Sequence, residues 1–158
     1  MNTVTVTPTI DTTIYASGDQ LGSLMTFPGL LGPGKSGQLV YASVYDKALQ
    51  SAALSLLLFS SQPTIASSDN AALNISDAEM LKCMAAIPFT TAYTSTSANS
   101  INTIPLSSGN NPVLPIAVYS TVADGTIYAI MRCGGTPTYG AASDLVITLG
   151  VMINPSIA

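Results

Sequence analysis

Hydrophobic and polar residues alternate in short runs along most of this chain. Residues Thr3 to Thr7 read Thr-Val-Thr-Val-Thr, and Leu145 to Val151 read Leu-Val-Ile-Thr-Leu-Gly-Val. A period of two sends successive side chains to opposite faces of a strand. Runs of this kind, bounded by Gly, Pro, Asn and Ser, predict strands at Thr3–Thr7, Thr12–Tyr15, Leu21–Phe27, Leu39–Tyr45, Ala53–Ser60, Met84–Thr90, Val113–Thr121, Thr126–Cys133 and Leu145–Met152. The prolines fall mainly between or at the edges of these runs, as expected where a strand interior needs its N–H groups. Asp124-Gly125 lies between two apolar runs and predicts a type I′ hairpin joining Val113–Thr121 to Thr126–Cys133.

One short helix is expected, over residues 77–84. Ser76 is a suitable N-cap, and Glu79 three residues on completes a capping box. Asp77 and Glu79 place negative charge at the positive end of the helix dipole. Ala48 to Leu58 also admits a helical reading, but Ser55, Ser60 and Ser61 break the 3.6 period, so a strand from Leu54 is preferred. The polar stretch Thr94 to Pro112 reads as a surface loop. No repeat or linker divides the chain. The pattern predicts an all-β fold, an antiparallel, jelly-roll-like β-sandwich, with residues 1–15 as an N-terminal arm or edge strand and 16–158 as a single domain. The arm is expected to add as a strand to a neighbouring subunit's sheet.

Several runs are apolar on both faces. Leu145, Ile147, Leu149 and Val151 oppose Val146 and Met152, while Leu54, Leu56 and Leu58 oppose Leu57 and Phe59. An antiparallel strand ordinarily shows water one face. Either loops of the same chain or a second subunit must cover the other face.

Composition sharpens this expectation. Of 158 residues 47% are hydrophobic and only 8% charged, against about 25% in ordinary soluble domains. The longest nearly apolar stretch, Ala48 to Phe59, is interrupted by Gln50, Ser51 and Ser55. It falls short of the roughly 20 residues of a spanning helix, so no membrane association is expected. Net charge is −4, with four cations in all, too few for a phosphate-neutralising footprint, which argues against direct nucleic-acid binding. Histidine is absent, which excludes histidine triads and histidine-ligated metals. Cys83 and Cys133 form no close-spaced metal or redox motif and are either two buried thiols or a disulfide. The opening MNTVTVTPTI has neither a basic nor an apolar leader segment, so a reducing compartment is expected.

One segment, Gly29 to Ser36, fits the phosphate-binding pattern GxxxxGK[ST]. That chemistry needs a helix starting at the lysine, whose N–H groups hold phosphate. Here Gly37 and a strand-like run follow Lys35, and the segment reads instead as a glycine-rich connection. Asp77 and Glu79 are accounted for by capping, Asp69 and Asp144 by turns. Asn74-Ile75-Ser76 matches a glycosylation acceptor but reads as the loop into the helix cap, and Gly134-Gly135 as a turn. The tyrosines at 41, 45, 119, 128 and 139 are expected to serve packing and interfaces. No catalytic, cofactor-binding or metal residues are assigned, and no enzyme activity is expected.

The segments QSAALSLLLFSSQP (50–63), SDNAALNISDAEMLKCMAAIPF (68–89), DGTIYAIMRCGGTPTY (124–139) and ASDLVITLGV (142–151) occur in that order. Together they resemble a family of small tailed-phage structural proteins, often encoded beside the major capsid gene. The resemblance extends over about Leu21 to Met152 and departs in the Gly29–Gly37 loop and the Asn110–Pro115 stretch. It implies a capsid decoration, or cement, protein: a β-sandwich homotrimer made in the host cytoplasm and bound to the major capsid protein on the outer surface of the virion. The alternative is a fibre, spike or host-receptor-binding module, and after it an enzyme that binds nucleotide through the Gly29–Ser36 loop.

Overall fold

The computed structural model describes residues 1–104 and 114–154. Among the described residues there are ten strands: β1 (Asn2–Val6), β2 (Gln20–Phe27), β3 (Ser36–Asp46), β4 (Leu54–Phe59), β5 (Cys83–Phe89), β6 (Thr94–Ser95), β7 (Ser100–Ile104), β8 (Ile116–Tyr119), β9 (Ile127–Cys133) and β10 (Leu145–Ile153). One helical turn, α1 (Asp77–Met80), precedes β5. All pairings are antiparallel. They make a six-stranded sheet, β1-β10-β3-β7-β6 with β8 also on β3, and a four-stranded sheet, β2-β9-β4-β5. The chain passes repeatedly from one sheet to the other, and first and last strands are neighbours. This is an all-β sandwich of two antiparallel sheets, as the alternation predicts.

The core lies between the sheets. Leu39, Val44, Ile147 and Leu149 face inward from the first, and Phe27, Leu56, Leu58 and Met131 from the second, all without solvent contact. Each such side chain contributes about 1.5–3 kcal/mol through burial. The rings of Tyr15 and Tyr139 meet edge to face, with centroids 6.1 Å apart.

Four expectations are corrected. Thr12–Tyr15 is not a strand: the Asp11 carboxylate accepts from the Thr13 N–H and hydroxyl, a local turn that competes with sheet pairing. The expected helix stops at Met80, because Cys83 onward is taken up by pairing with β4. Its cap forms as predicted, the Glu79 N–H donating to Ser76 Oγ at 3.3 Å. The Glu79 carboxylate, however, accepts from the Thr64 N–H and Lys82 Nζ rather than closing the box. Within Thr94–Pro112, expected as loop, Thr94–Ser95 is strand β6 and Ser100–Ile104 is strand β7, and the two pair. The inward positions of β7, Ser100 and Asn102, are polar and hide the alternation, and they are satisfied by Ser51 Oγ and the Thr90 carbonyl. Of the two alternatives for residues 1–15, the edge strand is the one seen: β1 lies at the edge of its own chain's sheet, from Asn2 opposite Val151 to Val6 opposite Ile147. Residues 105–113, within the expected Thr94–Pro112 loop and at the start of the Val113–Thr121 run, lie outside the described residues.

The fourth correction concerns Asp124-Gly125. Strand β8 pairs with β3 in one sheet, whereas β9 pairs with β2 and β4 in the other. The turn therefore arches between layers instead of closing a hairpin. Ser120 Oγ donates to the Thr126 carbonyl at 2.6 Å, and the Leu31 N–H donates to the Gly125 carbonyl at 3.0 Å. Gly125 has φ +78°, and a Cβ there would strike the Gly32 carbonyl oxygen. Gly125→Ala is therefore expected to lower stability by more than about 2 kcal/mol in urea unfolding, from left-handed strain and the clash together. A loss under about 0.5 kcal/mol, the range of an ordinary surface change, would contradict this account of the arch.

Candidate interaction surfaces

The Gly29–Ser36 segment does not make a phosphate cradle. Residues Gly32–Gly34 form a single 3-10 turn, Lys35 adopts a left-handed φ of 58°, and β3 begins at Ser36. No helix follows the lysine, so no set of N–H groups converges on an anion there. Leu30 and Leu31 are fully buried in the core. The glycines allow close approach of backbone: Gly32 to Gly125, and Gly37 to the Met152 carbonyl.

The carboxylates serve loops. Asp46 accepts from the Ala48 and Ser51 N–H groups, Asp144 from those of Gly140 and Ala141. Asp69 does more than the turn expected of it. Its Oδ1 accepts the Tyr15 hydroxyl and the Gly22 N–H, both at 2.7 Å. Burial, then the bond to Asp69, pushes the Tyr15 phenol above its usual range. Asp11 accepts from Asn70 Nδ2 and Thr13, which hold its carboxyl down at about 2. These bonds fasten residues 9–16 to residues 66–72. Beside them opens a cleft of about 540 Å³ between Thr9, Ser23, Leu24, Ile65 and Ser67, with Asp69 on its wall. Among the described residues, no three His, Cys, Asp or Glu side chains are grouped to hold a metal, and no helix is long and apolar enough to cross a membrane.

Cys83 and Cys133 are free thiols, both pushed up by burial. They oppose Phe59 and Leu54, at the two ends of β4, and so do not meet. Ser76 of the Asn74-Ile75-Ser76 triplet caps α1. Gly134 lies in a turn and donates to the Ala53 carbonyl. Tyr41 and Tyr45 lie half-buried on β3, Tyr128 half-buried on β9, and Tyr119 exposed on β8, while Tyr139 is buried in a loop.

The two outward faces of the sandwich are treated differently. On the four-stranded sheet Phe59 and Ile130 point outward by register, yet neither has any solvent contact. Residues 60–82 leave β4, reach the β2 edge and return to β5. Ser67 Oγ donates to Gln20 Oε1, and the Gln20 N–H donates to the Ala71 carbonyl. For this sheet the second apolar face is covered by a loop of the same chain.

The outward face of the six-stranded sheet has no such cover among the described residues. Register aligns Thr5, Thr148, Ser43 and Thr103 in one row across four strands, and Thr5 and Thr148 share a hydroxyl hydrogen bond of 3.0 Å. Val146, Tyr45 and Ile101 form the row on one side; Thr3, Gly150 and Tyr41 form the row on the other. Beyond the bulge at Gly150, Met152 stands opposite Gln38. None of these side chains is charged. Only the Thr-x-Thr-x-Thr of β1 and the two-sided β10 hinted at this face, because the register that assembles it is not local.

No family model, curated protein or solved structure matches this chain.

A carboxyl lowered in the folded state adds stability above its unfolded pKa and loses it as pH falls through the folded value. For Asp11 that window runs from about 3.8 down to about 2. In a carbon-13 NMR titration Asp11 is expected to titrate near 2, and Asn70→Ala to raise its midpoint toward 3.8. A midpoint near 3.8 in the unaltered chain would contradict the fastening of residues 9–16.

Proposed function

We propose that the chain is a virion structural protein, a capsid decoration protein that binds the outer head surface as a homotrimer and stabilises the shell. The observation that carries this reading is a β-sandwich with one face covered by its own loop and the other, among the described residues, without a covering loop or charged side chains. A monomer in water gains nothing from an open face of Val, Tyr, Ile and Met side chains, whereas an assembly buries it. The ordered series of segments that resembles phage structural proteins supports the same reading. The carboxylates described above are engaged with backbone groups that fix loops, which suits a scaffold for contacts rather than a site for chemistry.

In this reading the mechanism is additive burial. A trimer bridges neighbouring capsid subunits, and three linked contacts hold far more tightly than one, since the second and third form at high effective concentration. Many such bridges raise the free energy needed to open the shell.

Light scattering on the purified chain is expected to give about three times 16.2 kDa, and the trimer is expected to bind isolated heads in hundreds of copies per particle. A monomer at micromolar concentration, or a handful of copies confined to the tail, would overturn the reading in favour of a free binding module or a fibre component.

A further inference from the structure

The cleft beside Asp69 is opened by a fault in the sheet. On β2 three residues, Gly22, Ser23 and Leu24, stand against Ile130 alone on β9, since Leu21 opposes Met131 and Met25 opposes Ala129. Side chains hold both backbone groups of Gly22, whose φ is +78°. Its N–H donates to Asp69 Oδ1 at 2.7 Å, and its carbonyl accepts from the Nε2 of the buried Gln20 at 2.8 Å. Bulges fixed in this way re-aim side chains and recur beside binding sites. Here the bulge turns Ser23 and Leu24 to the cleft.

We propose that this cleft receives a cationic side chain, arginine or lysine, presented by the protein that the chain binds. The inference rests on the reading above for the identity of that partner, the capsid protein, and names the contact.

Charge is the first argument. The Tyr15 hydroxyl donates to Asp69 Oδ1 and accepts from the Asp11 N–H, each at 2.7 Å, so two acidic residues are gathered about one phenol. Neither has a cationic partner: the one ion pair among the described residues is Lys82 with Glu79. Asp69 Oδ2 accepts from no group among the described residues, whereas Oδ1 accepts twice. Arg132 stands opposite Gln20, but its guanidinium lies beside Gly18. Lys47 and Lys82 are engaged with Ser143 and Glu79. The cation that completes the site comes from another molecule, and a chain of formal charge −4 draws one.

Shape and polarity are the second argument. Leu24, Pro63 and Ile65 supply apolar wall, and Ser23, Ser67 and Asp69 supply acceptors. A long basic side chain matches both, its methylene stem on apolar surface and its charged head on the carboxylate. A wholly apolar occupant would strip water from Asp69 without replacing it, and an anion would meet like charge. The volume of about 540 Å³ falls within the range of about 300–1,000 Å³ of small-ligand sites.

The test titrates the purified chain with N-acetyl-arginine amide and, for the stem without the charge, N-acetyl-norleucine amide, followed by amide NMR shifts. The arginine amide is expected to shift Ser23, Leu24 and Ser67 saturably and to bind at least tenfold tighter than the norleucine amide. Asp69→Asn keeps an acceptor for Tyr15 and Gly22, and Ser23→Lys sets a cation of the chain's own at the rim. Both are expected to weaken arginine binding, and binding to isolated heads, at least tenfold. Ala78→Lys on α1 adds the same charge elsewhere and is expected to change neither. Circular dichroism establishes that each variant folds. Equal binding of the two amides, or arginine binding retained in Asp69→Asn, would overturn the proposal. So would heads bound as tightly by Asp69→Asn as by the unaltered chain, or self-association lost in that variant, which would place a second copy in the cleft. If the unaltered chain binds no heads, the capsid reading fails and the arginine titration decides the cleft by itself.

Discussion

A two-layer β-sandwich has four sheet faces, and its core needs only two of them. The other two must be wetted, covered by the chain, or covered by something else. In this protein that constraint shapes nearly everything outside the core. A chain with eight carboxylates and four cations has few side chains with which to wet a face. Among the described residues it covers one with residues 60–82 and leaves the other to hydroxyls and apolar groups. The long loop, the single helical turn and the clamp around Asp69 all serve the covered side. The open side consists of little more than the regular register of β1, β10, β3 and β7.

Scarcity of charge also decides how the loops are held. Among the described residues the one ion pair is Lys82 with Glu79, three residues apart on the surface, where such pairs contribute little. Fixing of loops falls instead to carboxylates that accept from backbone N–H groups, at Asp11, Asp46, Asp69, Asp124 and Asp144. Each anion satisfies donors that would otherwise need water, so one charged group orders several residues. The Gly29–Ser36 segment shows the same economy in backbone form. Its glycines allow the inter-sheet arch at Gly125 and the last strand to approach closely, a structural use of a pattern that in isolation suggests nucleotide chemistry.

The all-β class and most strands were legible because alternation is a local signal. Leu54-x-Leu56-x-Leu58 and Leu145-x-Ile147-x-Leu149 announce both their geometry and their inward faces. Strand β7 was not, since its inward residues are Ser100 and Asn102, whose partners Ser51 and Thr90 are supplied by the fold. The Asp124-Gly125 turn misled for a related reason: the dipeptide specifies a tight reversal, but whether the flanking strands then pair depends on which sheet each joins. The open face was half legible. Alternating Thr and Val in β1 and two-sided β10 signalled a surface needing a partner, but the hydroxyl row spans four strands distant in sequence. Only register brings it together.

The central claim is that copies of this chain associate through a surface without charge. Its most direct test is the salt dependence of self-association, followed by sedimentation equilibrium from about 0.05 M to about 1 M sodium chloride. Screening at the upper concentration reduces the Debye length to about 3 Å. It removes the repulsion between like-charged copies while leaving apolar contact intact, so the account predicts association that is unchanged or stronger at high salt. Association that weakens tenfold or more over this range would show that charged groups hold the copies together, and would contradict the account.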